Sequence, residues 1–280
     1  MDDRPIGMFD SGFGGLTVAR ALIDLRPDED LVYVADTGRY PYGPRPLDEV
    51  TRFARQITTK LVRDHDVKMV VVACNTAAAA ALDTLRFEFD VPLIGVIDPG
   101  LRAALSVTTT RRVAVIGTVG TIASGAYQRA VTAMARSPQI DLTCAACPGF
   151  VEFVERGETR SDQVHVLAER LLAPIREANV DTLLLGCTHY PFLARTITDV
   201  VGRDVVLVSS ADETAFEVEA ILADAGLGRR SPKAGAHTWI SSGNTATFRD
   251  LGRRLFGPEI DMVESWGRAE SDSTTRLRNR

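Results

Sequence analysis

The chain alternates short, solid apolar runs with longer stretches in which apolar residues recur at helical spacing. Solid runs bounded by Gly, Pro or polar clusters mark buried strands, and the longer stretches mark amphipathic helices. On this basis Ile6-Gly7-Met8-Phe9-Asp10 is a first strand, stopped by Ser11-Gly12-Phe13-Gly14-Gly15. A helix from Leu16 to about Leu25 follows, then a second strand over Leu31 to Ala35. The loop from Arg39 to Pro46, rich in Pro and Tyr, is expected to be ordered but irregular. A long amphipathic helix from Leu47 to about His65 leads to a strand ending at Cys74, and a helix through Ala77 to Leu82 comes next. Val91 to Ile97 reads as a fourth strand, broken by Asp98-Pro99-Gly100.

The pattern then restarts. Arg112 to Ile116 is a strand, with a helix running on through Tyr127 and Met134. Leu142 to Ala146 is another strand, followed by a short helix over Phe150 to Arg156 and a long one from about Gln163 to Ala178. A strand ending at Cys187, with its own helix, precedes a strand over Val205 to Val208 and a helix over Ala211 to Ala225. Trp239 to Gly243 and Phe248 to Phe256 add one more strand and helix. Such alternation predicts an α/β fold with parallel or mixed sheets. The number of units is large for one sheet, so two α/β domains are expected; the resemblance described below implies that they are pseudo-symmetric, with a cleft between them. Residues 1–98 plus 209–266 would form the first, discontinuous domain and residues 99–208 the second. The polar stretch 267–280 is expected to be disordered.

Two stretches share one design. Val70-Val71-Val72-Ala73-Cys74-Asn75-Thr76 and Leu183-Leu184-Leu185-Gly186-Cys187-Thr188-His189 each run from a buried strand through a small residue to Cys and then to polar groups. Each Cys is thereby expected at the C-terminal edge of a strand and at a helix N-terminus, where α/β sheets bind ligands. A Cys ending an apolar strand is usually core. Two of them, each followed by hydroxyl, amide or imidazole groups that a core has no use for, favour function.

Composition narrows the chemistry. The chain has 280 residues, 45% of them apolar, and a net charge of −5, which gives no electrostatic case for nucleic acid or an anionic membrane. No apolar run suits a membrane span, and the first residues lack the layout of a signal peptide, so a cytoplasmic location is expected. Four cysteines are too few for a disulfide scaffold. Cys144 and Cys147 form a C-x-x-C, for which a strand end carrying two Cys is a better reading than a redox pair or half a zinc site. Only three of the 32 basic residues are lysines, and none is placed for a Schiff base, which disfavours pyridoxal phosphate. The four histidines are scattered, so no catalytic metal is expected.

The Gly-rich loop invites a nucleotide reading but departs from both relevant patterns. A P-loop from Gly7 needs Lys where Phe13 stands, and a dinucleotide fingerprint from Gly12 needs Gly where Thr17 stands. Asp36 imitates a ribose-binding acid, whereas Asp10 would repel a pyrophosphate and better suits an ammonium group or a role as base. The strand edges should present Asp10, Ser11, Cys74, Asn75 and Thr76 from one half. The other half should present Thr118, Thr121, Cys187, Thr188 and His189. Hydroxyls, amides and free N–H groups of this kind hold a small anionic molecule without a metal. A thiol hydrolase would use Cys187 with His189 and leave Cys74 surplus. A racemase needs two acid/base groups on opposite faces of one carbon, and two thiols meet that need. A thiol pKa near 8.5 should fall at a helix N-terminus. His189 is the expected tuner of Cys187, and Asp10 that of Cys74. A non-catalytic binding protein for a small acid is a further alternative.

Taken together, five motifs resemble glutamate racemase, in the right order and over roughly residues 6 to 266. They are Phe9 to Gly15, Tyr40-Pro41-Tyr42-Gly43, Cys74-Asn75-Thr76-Ala77, Gly117 to Ile122, and Gly186-Cys187-Thr188-His189-Tyr190-Pro191. The resemblance implies cofactor-independent interconversion of L- and D-glutamate, supplying D-glutamate for peptidoglycan, in a cleft between two domains. It implies Cys74 and Cys187 as the catalytic pair, and Asp10, Ser11, Tyr42, Gly43, Asn75, Thr76, Thr121, Thr188 and His189 as binding or assisting residues. The family's Pro-x-Phe-Val-x-x-Val-Glu stretch places a helper acid at Glu155. This chain departs from that stretch at Glu152, where the family usually has Pro or an apolar residue. Family members are often dimers, so a homodimer is open, and aspartate racemase is the nearest alternative.

Overall fold

The computed structural model describes residues 1–134, 140–230 and 233–267. The first half opens with β1 (Ile6–Asp10), α1 (Leu16–Leu25), β2 (Leu31–Ala35) and α2 (Leu47–Asp64). It continues with β3 (Met69–Val72), α3 (Asn75–Glu88), β4 (Leu93–Gly95) and α4 (Ile97–Val107). The second half begins with β5 (Arg112–Gly117), α5 (Val119–Ala123), α6 (Ala126–Met134) and β6 (Asp141–Ala146). Then come α7 (Phe150–Arg156), α8 (Asp162–Leu171), α9 (Ala173–Glu177), β7 (Thr182–Gly186), α10 (Ala194–Val201) and β8 (Val206–Ser209). The chain returns through α11 (Ala211–Asp224), β9 (His237–Ser241), α12 (Thr245–Leu255) and β10 (Val263–Ser265).

The strands form two sheets, ordered β10-β9-β2-β1-β3-β4 and β6-β5-β7-β8, and every recorded pairing is parallel. The inner order repeats. In each sheet the first strand of the half lies between its second and third, with the fourth outside. Cys74 follows the third strand of one sheet and Cys187 the third strand of the other. Both strands are buried along their whole length, as solid apolar runs require. The polar tail expected from 267 lies, apart from Gly267, outside the described residues.

Several boundaries differ from the pattern reading, each for a local reason. Asp98-Pro99-Gly100 does not break a strand but sits in the first turn of α4, where Pro lacks only an N–H that the turn would leave unbonded. Gly100 there packs against Ser210, so a Cβ would come within 2.7 Å of that side chain. The helix expected to run through Tyr127 and Met134 is split at Gly125, whose φ of +69° is left-handed. The long helix expected to Ala178 is split at Leu172, because Pro174 fits only a first turn. Cys187 does not open a helix: Thr188 and His189 form a turn, a 3-10 segment spans Tyr190–Leu193, and α10 follows. Strand β10 went unread because its three residues include an exposed Glu and Ser.

At the N-terminal edge of the first sheet, far from the strand ends that carry the cysteines, Lys68 and Glu29 form an ion pair with both side chains almost wholly buried. Lys68 has one other recorded partner, the carbonyl of Asp2, whereas Glu29 also meets Arg26 and the Arg229 N–H. Glu29→Ala therefore strands a buried ammonium and should lower unfolding stability by about 3–5 kcal/mol. Urea melts of Glu29→Ala and Lys68→Met should separate the two, the lysine variant being the milder because Glu29 keeps Arg26.

Candidate active site

The C-terminal edges of the two sheets meet around one cavity of about 110 Å³. Three thiols reach its wall, Cys74 from the first sheet and Cys187 and Cys147 from the second; Cys74 and Cys187 each follow the third strand of their half. Cys74 stands at the cap of α3 in extended conformation, φ −105° and ψ 120°, so the chain passes from strand to helix across the thiol. Its sulfur lies 3.7 Å from the Ser11 hydroxyl. Cys187 sits in the turn after β7, pinned by the Tyr190 N–H donating to its carbonyl at 3.0 Å. The Tyr190 hydroxyl in turn donates to the Cys147 carbonyl at 3.0 Å, tying the ends of β6 and β7 together.

Asp10 is buried between the two thiols' neighbourhoods. Its Oδ1 accepts the Gly12 N–H at 2.7 Å, and Thr188 Oγ1 lies 3.5 Å from its Oδ2. Burial pushes its pKa up, against the pull of His189 and the N–H groups of Gly12 and Gly15. Cys74 is pushed up to about 12, first by burial and then by the Asp10 charge, over the help of the Ala77 N–H and Ser11. The lowering expected from a helix N-terminus is present but loses to desolvation. The Asp10 charge therefore disfavours the Cys74 thiolate.

His189 is tuned the other way. Burial opposes its imidazolium, but hydrogen bonds to Cys187 and Glu155, and the charges of Cys187 and Asp10, raise it to about 10. The Nε2 to Glu155 Oε1 distance is 3.1 Å. Burial thus favours the neutral thiol at Cys74, whereas the partners of His189 favour its charged form.

Hydroxyls cover the rest. Thr76, Thr118 and Thr121 form a closed ring, with Oγ1 separations of 2.9 Å for Thr76–Thr118, 3.2 Å for Thr76–Thr121 and 2.9 Å for Thr118–Thr121. Asn75 donates from Nδ2 to the Tyr127 hydroxyl at 2.9 Å. Both groupings join the first half to the second, as does the Gly120 N–H donating to the Gly43 carbonyl at 2.8 Å. The Asn75 carbonyl oxygen is buried with no partner and is free to accept from a ligand.

Most residues singled out in the sequence line this cavity: Asp10, Ser11, Tyr42, Gly43, Cys74, Asn75 and Thr76 from one side, and Cys187, Thr188 and His189 from the other. Thr121 and Glu155 do not. Thr121 lies behind Thr76 and Thr118, and Glu155 lies behind His189, 3.1 Å from its Nε2. The Tyr42 hydroxyl points away, donating to the Asp36 carboxylate. Asp36 is wholly buried and also bound by Arg39 and Ser242, so it cannot serve a ribose. The nucleotide reading of the Gly-rich loop fails there. Gly14 instead faces the turn that carries Thr188 and His189.

Sequence reasoning missed Tyr40 and Glu152, which also line the cavity. Tyr40 lies in the Tyr40-Pro41-Tyr42-Gly43 motif, which carries no separate signal for its role, and Glu152 shows only as a departure from the family pattern. Cys144 and Cys147 belong to opposite faces of the second sheet, Cys144 against one core cluster and Cys147 within the other. Residues on opposite faces cannot share a disulfide or a metal. Both are free thiols, and burial pushes them up to about 11 and about 12. Among the described residues no group of three or more His, Cys, Asp or Glu side chains is placed to hold a metal, and no helix is long and apolar enough to cross a membrane.

The two α/β halves each bring a thiol to one small cavity, and comparison with known proteins gives the family. The pattern of the Asp/Glu/Hydantoin racemase family matches residues 17–218. The chain is 51% identical over 264 residues to the glutamate racemase of Acidothermus cellulolyticus, covering 94% of this chain and 99% of that one. A glutamate racemase isoform of Bacillus anthracis superposes with a TM-score of 0.88 at 37% identity, over 95% of this chain and 97% of that one. The glutamate racemase of Francisella tularensis in complex with D-glutamate superposes with a TM-score of 0.87 at 31% identity, over 95% and 98%. The chain belongs to the Asp/Glu/Hydantoin racemase family.

Proposed function

We propose that this protein is a glutamate racemase that works without a cofactor, through its two thiols. The observation that carries the reading is the placement of Cys74 and Cys187, each after the third strand of its own sheet and both on the wall of one cavity. The extent of similarity to glutamate racemases supports glutamate as the substrate. In the reaction one sulfur, as thiolate, takes the Cα proton. The other, as thiol, delivers its proton to the opposite face of the same carbon. In the reverse direction the roles exchange, and no atom is gained or lost beyond the exchanged proton. His189 holds or passes the proton at Cys187, and Asp10 does so at Cys74. The hydroxyls of Ser11, Thr76, Thr118 and Thr188 and the amide of Asn75 hold the substrate, and charge developing on its α-carboxylate meets donors already in place. Among the described residues no lysine or arginine lines the cavity. Its size suits a free amino acid rather than a nucleotide. We assign the D-glutamate product to peptidoglycan synthesis, in the cytoplasm.

Racemisation in deuterated water tests the mechanism. Product of either hand should carry deuterium at Cα, because the delivered proton comes from a thiol that has exchanged with solvent. Product that keeps its protium would rule the two-base mechanism out. A binding protein would show affinity for glutamate and no exchange. Comparing rates on glutamate and aspartate settles the substrate, and faster turnover of aspartate would overturn the assignment.

A further inference from the structure

Tyr40 has no role in the reaction as set out above, yet it is placed at the junction of the two halves. Its ring lines the cavity and packs on Gly12, where a Cβ would approach within 2.9 Å of Cδ2. Its hydroxyl is buried without a partner at full hydrogen-bond geometry, while the Glu155 carboxylate stands close enough to act on it as an acceptor. The groups bearing on that hydroxyl are the carboxylates of Glu155 and Glu152, with Cys187 behind them. A buried hydroxyl beside a carboxylate is a donor waiting for its acceptor.

We propose that Tyr40 is a positioning residue: its hydroxyl, carried by the first half, donates to the Glu155 carboxylate of the second half and so holds Glu155 on His189. The contact completes a line Tyr40–Glu155–His189–Cys187 that runs from the first half to the second. This rests on the two-thiol reading and deepens it, since the tuning of the thiol in the second half then depends on a residue of the first. Arg254 of α12 donates to the backbone carbonyl of Glu155, which fixes the main chain but leaves the carboxylate free to turn. The Glu155 side chain is 19% exposed, so without Tyr40 it has water to turn towards. Burial and the two carboxylates hold the Tyr40 phenol far above its ordinary range, so it orients and does not exchange protons. The other titratable groups facing this corner are Asp10 from β1, Cys147 at the end of β6 and Tyr190 beside His189.

The test is Tyr40→Phe in the full chain, with iodoacetamide alkylation of each cysteine followed by peptide mass spectrometry across pH, alongside racemisation. Loss of the hydroxyl should free Glu155, weaken the His189 cation and move the Cys187 alkylation profile up by about half a pH unit or more. The Cys74 profile, an internal control, should stay in place, and kcat should fall roughly tenfold, as when an orienting group is lost. Glu155→Gln should shift the Cys187 profile in the same direction. The double variant should be little worse than the worse single, because both act on one line. An unmoved or lowered Cys187 profile, a joint shift of both thiols, or additive losses would each overturn the proposal. Absence of racemisation in the unaltered protein would instead sink the racemase reading, while alkylation would still report on the line.

Discussion

Cys74→Ala and Cys187→Ala are each expected to lower kcat/KM for glutamate racemisation by at least about 10³-fold, the upper range for removing a positioned acid or base. Racemisation uses one group to take the proton and the other to return it, so neither thiol can replace its partner. The loss should appear equally from L- and from D-glutamate, since the equilibrium between mirror images is fixed at unity and kcat/KM must fall together in the two directions. Circular dichroism from each enantiomer measures both. Both thiols are buried at 5% exposure, and removing a single sulfur from either strand end leaves the apolar strands in place, so the variants should remain folded. A thermal melt checks this. If either variant keeps activity within tenfold of the parent, one thiol suffices and the two-base mechanism is wrong.

Gly14→Ala is the second large effect, and it arises far from any thiol in sequence. A Cβ at Gly14 would fall inside contact distance of Thr188 Oγ1 and His189 Nδ1, and 2.8 Å from His189 Cε1. The loop after β1 lies directly against the turn after β7, and only a hydrogen fits between. The imidazole must shift by a large fraction of an ångström, away from Glu155, Cys187 or both. Displacements of that size cost about 10²-fold in rate. Overpacking of this kind lowers stability by only about 1–3 kcal/mol. The variant should thus fold, bind glutamate with altered KM and lose about 10²-fold in kcat. A kcat within threefold of the parent would mean that the turn carrying His189 yields freely and that its position is not critical.

These two expectations differ in how they could be foreseen. The cysteines are visible in the sequence because a strand is a local event. A solid apolar run, a small residue and a polar cluster announce a buried strand and its end without reference to anything distant, and that placed Cys74 and Cys187 at sheet edges. The same local logic predicted α/β alternation, the restart of the pattern after β4, and the groups Asp10, Asn75, Thr76, Thr188 and His189 as edge residues. It also failed locally where one residue type serves two ends: Asp98-Pro99-Gly100 opens a helix as readily as it closes a strand, and Pro174 starts a short helix by interrupting a longer one.

Distance across the cleft is another matter. That Gly14 lies against His189, that Glu155 meets His189 while Glu152 faces the cavity, and that Tyr42 turns its hydroxyl to Asp36 all depend on how the elements are set against each other. Pattern carries periodicity and chain direction, but not the separation of groups many residues apart. The charge states follow the same division. A helix N-terminus at Cys74 argued for an easy thiolate, and burial together with Asp10 reversed it, because desolvation is set by everything packed around an atom and not by its neighbours in the chain.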